Sequence, residues 1–562
     1  MRHKLTLILF LIFVFLLRIN VSSQDITKAP WNEYIGSHYD TEPWGGWVRD
    51  YSMKTASRSY MLNTELEAGA LDPNIIAGLV NELYNEMLKL PVQYDAVLQT
   101  SSVGRDLDGV KQYMQRIEAD GGATWRELCK QQALKLTELP NGKNRIFWQI
   151  GNEISSPAYS EYLNSWAGNP VPCNGNGCDY DPFVMPIYAE CYFAPSVQGI
   201  QEASMQLYGS KDSINIILGS LTNAGGNAPF NWLNSLLSYT IEGKYAPDLA
   251  GKKVYELIDI ISVHYMVGNS SPSFWKTWLD KYRDAWFGVG KIKGIWSTEE
   301  VGIRAAEQGQ GAARGAAATS RYLEWALTNN YSPYQCRTNY WAHWAGPVGS
   351  RVDDLNQEVY NFLGNSQLLL VNQDDVKYDN PDIESHAFLS SDSKKGIIYT
   401  LLKNATQSDS VSAIDIANYG MGNITSATSH YFSPSGHQVI QPGIENENST
   451  FHLDLKNSYS FESGNAVLVT FIQTGTSNTG IPPVMKDISV SIYPNPAKSS
   501  FAVELPEEKF DLLVIDLSGK YMTIKKNVSR KTMIDCSDFP GGIYILKVVT
   551  EDKIFAGRIV KQ

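Results

Sequence analysis

Two places in the sequence set a carboxylate directly after a short apolar run. Asn152-Glu153 follows the run 145–150, and Glu299-Glu300 follows the run 294–298. His264-Tyr265 and Ala342-His343-Trp344 close two further runs in the same way. Apolar runs of this length suit parallel strands buried on both faces. Two carboxylates across one pocket suit cleavage of a glycosidic bond. One must protonate the leaving oxygen, and the other must attack the anomeric carbon or activate water there. Asn152-Glu153 alone would also fit a helix N-cap with an acid in its first turn; the second strand-end acid favours chemistry. Glu299 competes with Glu300. Alternation along a strand turns the two opposite ways, and the phrase Trp296-Ser297-Thr298-Glu299 favours Glu299. No Gly-x-Ser-x-Gly elbow or His-Glu-x-x-His helix offers a rival hydrolytic site.

Such residues need a frame. From 28 to 365, strand-like runs alternate with helix-like stretches, which predicts a (β/α)8 TIM barrel with its active groups at the C-terminal strand ends. Five late strands are predicted at 145–150, 214–219, 257–263, 294–298 and 338–344. An earlier strand is predicted at 92–98, after a helix over 73–90. Two more must lie before Thr64. The segment 366–474 alternates strands with turns and predicts an all-β sandwich; 475–485 is polar and rich in turn formers, as a linker is. The last stretch, 486–562, is a small all-β domain, expected as an antiparallel sandwich.

The Asn152-Glu153 pair and Glu299, with Gln149-Ile150-Gly151 before the first, resemble clan A glycoside hydrolases, in particular their arabinofuranosidase- and glucuronidase-like branches. The resemblance implies a retaining mechanism, with Glu153 as acid/base and Glu299 as nucleophile. It also implies substrate contacts from Asn152, His264, Tyr265 and Trp344, with Trp341 and His343 as rivals to Trp344. Such enzymes need no metal or other cofactor. An Arg after strand two usually holds the nucleophile, and Arg49 and Arg58 are the candidates. In the last domain, Tyr493-Pro-Asn-Pro496, Asp516-Leu-Ser-Gly519 and Gly542-Ile-Tyr544 resemble the C-terminal sorting domain of type IX secretion in Bacteroidetes. That implies recognition by the secretion machinery, and a secreted or surface-attached protein.

Composition agrees. The net charge of −12 disfavours a nucleic-acid partner. All 14 Trp lie between Trp31 and Trp344, which suits either sugar stacking or a Trp-rich core. Arg2, His3 and Lys4 before an apolar run, then Ser22-Ser23, predict a signal peptide over 1–23. Of the six Cys, Cys173 and Cys178 flank a flexible turn and are the best candidates for a disulfide. The expected function is hydrolysis of an extracellular polysaccharide. The alternative is a catalytically silent carbohydrate-binding protein on the same scaffold. An adhesin should show long repeats, and none is present.

Overall fold

The computed structural model describes residues 27–38, 55–60, 73–88, 95–100, 115, 117–155, 184–268, 271–301, 303–340, 347–371, 373–403, 408–417, 423–446, 450–462, 464–475, 491–493, 496–516, 521–549 and 554–562. The predicted signal peptide, Cys173, Cys178, Arg49, Trp341, His343 and Trp344 lie outside these residues, and so does the side chain of Arg58.

Eight parallel strands close a barrel in sequence order. They are β1 (Ile35–His38), β2 (Thr55–Tyr60), β3 (Asp95–Thr100), β4 (Ile146–Ile150), β5 (Asn215–Leu218), β6 (Ile260–His264), β7 (Gly294–Glu300) and β8 (Cys336–Tyr340). β1 closes the ring on β8, with Ile35 opposite Thr338. Helices α1 (Pro73–Leu88), α2 (Ala123–Leu136), α3 (Ala194–Tyr208), α4 (Asn227–Ser238), α5 (Pro272–Trp286), α6 (Gly311–Asn329) and α7 (Val352–Leu363) fall between and after them.

Strand alternation sorts the side chains. Ile146, Trp148, Ile150, Ile261, Val263 and Ile295 join the core shared with the helices. Phe147, Ile217, Ile260 and Trp296 form a separate apolar cluster, the inward layer. Further along the same inward rows come Gln149, Ser262, His264 and Thr298, all buried. The interior therefore grades from an apolar base to a polar mouth. All nine described Trp are buried, so for these the Trp-rich core accounts for the skew.

The β-rich part after the barrel comprises β9 (Leu368–Val371), β10 (Val376–Tyr378), β11 (Ile383–Ser390), β12 (Lys395–Leu402), β13 (Ser408–Ala417), β14 (Ile424–Ser433), β15 (Gly436–Ile440), β16 (Gly443–Asn446), β17 (Thr450–Glu462) and β18 (Val467–Thr474). They form two sheets, ordered β15-β14-β18-β12-β11-β9 and β10-β13-β17-β16. The inner strands β11 and β12 of the six-stranded sheet are buried on both faces. Phe388, Tyr399 and Phe471 join the barrel core, and Ala387, Ile398 and Ile472 join the sandwich core. This is why β12 and β18 read as mostly apolar runs.

One polar cluster interrupts the apolar seam. Glu384 and His386 of β11 face α6. Glu384 takes two hydrogen bonds from Arg321, at 3.1 and 2.7 Å. His386 bridges Glu384 and Glu324 at 2.6 Å each, and Lys276 lies 4.0 Å from Glu324. Burial opposes charge on both β11 groups, but their partners outweigh it. Arg321 and His386 bring the Glu384 carboxyl down to about 2, and Glu384 and Glu324 push His386 up to about 9. The Glu384 contribution is present above its unfolded value of 4.5 and is lost as pH falls toward about 2. The His386 contribution is full below 6.5 and is lost as pH rises through about 9. The cluster is therefore complete between 4.5 and 6.5. Thermal melting should show a stability loss from pH 6.5 to 9 that is smaller in His386→Gln; equal losses would contradict this.

Residues 480–562 form a second compact unit. β19 (Ser491–Tyr493), β20 (Ser500–Asp516), β21 (Tyr521–Asp535), β22 (Gly542–Val549) and β23 (Ile554–Lys561) pair antiparallel in one five-stranded sheet. β20 is long enough to take three partners, β19 and β21 along its first part and β21 and β22 along its second.

Candidate active site

Three barrel strands deliver the site, and each ends in a backbone twist that a non-glycine residue rarely adopts. Glu153 follows β4 at φ 48°, Tyr265 follows β6 at φ 52° and Val301 follows β7 at φ 57°. Left-handed conformations at such residues cost about 1–3 kcal/mol and persist only where the surroundings over-determine them.

After β4, the chain turns at Gly151, φ 92°, where a Cβ would meet Ile154 at 2.9 Å. Ser220, just beyond β5, then fixes the carboxylate-bearing turn. Its hydroxyl accepts from the Glu153 N–H (2.8 Å) and donates to Asn152 Oδ1 (3.2 Å), and its carbonyl accepts from the Ile154 N–H (3.0 Å).

On β7, simple alternation from Trp296 through Thr298 would bring Glu300 inward. The ladder slips instead, against β8 between Ser297 and Glu300 and against β6 at His264. This irregularity re-aims the strand end, as bulges do. Thr298 and Glu299 both reach the mouth, and Glu300 turns outward. There Glu300 accepts from Ser297 Oγ (2.9 Å) and the backbone N–H groups of Val267 (3.1 Å) and Gly268 (3.3 Å). Burial pushes its carboxyl up to about 7. The predicted divergence of Glu299 and Glu300 is present, but the slip decides which one enters.

At the mouth, Tyr265 OH donates to Glu299 Oε1. His264 stands between the acids, with Nδ1 at 3.6 Å from Glu153 Oε1 and 3.7 Å from Glu299 Oε2. Its Nε2 meets Thr298 Oγ1 at 2.9 Å, and Thr298 meets Ser262 at 2.6 Å. Burial lowers the His264 pKa below the ordinary imidazole value, against an opposing pull from Glu153. The facing atoms of Glu153, His264 and Glu299 all lie within 4.8 Å of one another. Glu299 is nearly sealed, its side chain 7% exposed, whereas Glu153 is 28% exposed.

The structure thus brings together Asn152, Glu153, His264, Tyr265 and Glu299. Ser220 and Thr298 have no place among the site residues read from sequence, and Glu300 enters there only as the rival of Glu299. Ser220 alone gave a signal, a small polar residue at a strand end. Two acids and one imidazole also form a donor set a divalent cation accepts; glycosidic cleavage by two carboxylates asks for none.

Residues 491–562 match the family of secretion system C-terminal sorting domains. The chain carries a type IX secretion sorting domain. This domain marks the chain for export to the cell surface or the extracellular space. No curated protein sequence matches the chain. Among solved structures, the chain is similar to a family 51 α-L-arabinofuranosidase from Bifidobacterium longum, at 10% identity and TM-score 0.43, over 80% of this chain and 97% of that one. It is also similar to a family 86 β-porphyranase from Bacteroides plebeius, at 12% identity and TM-score 0.42, over 96% of both chains. A family 44 xyloglucanase from Paenibacillus polymyxa gives 11% identity and TM-score 0.41, over 80% of this chain and 98% of that one.

Tyr265→Phe removes the hydrogen bond to Glu299 and leaves the ring. A hydrogen bond to a charged group is worth about 1.5–3 kcal/mol, so if this pair cleaves a glycoside, kcat should fall about 10- to 100-fold. Melting should stay at the wild-type temperature; an unchanged kcat would remove Tyr265 from the site.

Proposed function

We propose that the protein is a secreted, retaining glycoside hydrolase acting on an extracellular polysaccharide. The observation that carries this reading is the approach of Glu153 and Glu299, whose facing oxygens lie within 4.8 Å. Carboxyl groups stand about 5–5.5 Å apart in retaining enzymes and about 6.5–9.5 Å apart in inverting ones. The wider gap admits a water; here His264 Nδ1 stands 3.6 Å from Glu153 and 3.7 Å from Glu299.

The roles follow from the surroundings. Glu299 is sealed and held by Tyr265, which suits a nucleophile that must keep one aim. It attacks the anomeric carbon as the bond to the leaving oxygen breaks. Glu153 faces solvent and gives its proton to that oxygen. Glu153 then takes a proton from water, which displaces Glu299 and restores the enzyme. Asn152 Oδ1 is engaged with Ser220, so its amide N–H2 is the donor offered to a sugar hydroxyl.

The test is sugar release by the secreted protein from a panel of plant and algal polysaccharides, beside Glu299→Gln. Release by the wild type alone supports the proposal and names the substrate class. Release of sugar with inverted configuration would overturn the retaining assignment. No release by either would favour a silent, carbohydrate-binding barrel.

A further inference from the structure

The loop after β6 carries the Tyr265 that holds Glu299, and it is strained at that residue. Its path is pinned from three sides. The Tyr265 N–H donates to the Glu299 carbonyl at 3.2 Å. Glu300 takes the N–H groups of Val267 and Gly268. Gly268 is pressed so close that a Cβ would meet the Arg314 carbonyl at 2.8 Å and Glu300 at 3.2 Å. From the far side, Arg321 of α6 donates through Nη1 to the Val267 carbonyl at 2.5 Å. Arg321 is itself buried, and its other nitrogens are spent on Glu384 of β11. A continuous line of short contacts therefore runs from the sandwich to the nucleophile: Glu384, Arg321, Val267, Tyr265, Glu299.

We propose that the sandwich sets the geometry of the barrel mouth, with Glu384 acting through Arg321 as a positioning residue for the loop that bears Tyr265. Its consequence for turnover rests on the glycosidase reading; the positioning itself does not. A planar guanidinium gripped bidentately by a carboxylate through Nε and Nη2 has one direction left for its Nη1. Glu384 chooses that orientation, and Arg321 transfers it to a backbone carbonyl two residues beyond the strained tyrosine. The loop conformation is unfavourable by itself, so removing one restraint releases it. The sandwich is in this sense a working part of the site rather than a passenger on the barrel.

Amide hydrogen exchange on the full chain tests this without any substrate. In Glu384→Gln, the peptide covering 264–268 should exchange faster by about tenfold or more, through local opening, while that covering 146–150 keeps wild-type protection. Glu324→Gln is the control. It cuts the same seam at His386 but leaves Arg321 on Val267, and 264–268 should stay protected. Wild-type exchange at 264–268 in Glu384→Gln, or equal loosening in both variants, overturns the proposal. On the polysaccharide the wild type cleaves, Glu384→Gln should lower kcat about 10- to 100-fold with little change in KM. Wild-type kcat alongside a loosened loop would refute the link to turnover and leave the glycosidase reading standing.

Discussion

Glu299→Gln is expected to lower turnover by at least about 10⁴-fold on every glycoside the wild type cleaves, because no covalent intermediate can form. The amide keeps the shape of the carboxylate and its contact with Tyr265, so melting and substrate binding should change little. The loss should be indifferent to the leaving group, since a reactive aglycone does not supply a nucleophile. Steady-state kinetics on a natural polymer and on a 2,4-dinitrophenyl glycoside check this. If Glu300→Gln instead removed turnover while Glu299→Gln retained it, the strand-end assignment would be reversed. Glu300 is closed off by Ser297 and two backbone amides, so its replacement should disturb the loop after β6 without abolishing chemistry.

Glu153→Ala should behave differently on the two substrates. Natural polymers leave as alkoxides and need its proton, so the variant should lose about 10²- to 10⁴-fold there. A dinitrophenolate leaves unaided, so the first step on that substrate should be spared and the glycosyl-enzyme should accumulate. Azide, small enough for the space the side chain vacates, should restore turnover and yield a glycosyl azide of retained configuration. The greater exposure of Glu153 than Glu299 fits a group that meets the departing half of the substrate and then water. Equal losses on both substrates, with no rescue by azide, would sink the assignment.

The legible parts of this molecule were those where burial writes itself into sequence. β4 and β6 are sunk on both faces, and the runs at 145–150 and 257–263 announce them. β1 and β2 were placed only as lying before Thr64, because Ile-Gly-Ser-His and Thr-Ala-Ser-Arg-Ser-Tyr carry no apolar run. The strand expected at 92–98 runs over Asp95–Thr100, since its polar end hides its boundary. Glu153 and Glu299 could be singled out as candidates because strand ends are where barrels place chemistry, and the structure brings the two together. The slip on β7 could not, because it is a matter of pairing with neighbours. Arg321 and Glu384 were invisible for a similar reason. Each looks like a surface charge on its own element, and only the docking of β11 on α6 pairs them.

The barrel closes through its first and last strands, Ile35 against Thr338, and the chain just before β1 is tied further on, Thr27 to Leu368 and Trp31 to Gly364. No stretch ending before β8 can complete the ring. Until then β1 has an open edge, the kind that recruits strange strands, and closure must wait for a contact of very long range, which is slow to form. An exported chain of this design benefits from being held unfolded until its whole barrel is available. Premature compaction would trap an incomplete sheet whose missing partner has yet to arrive.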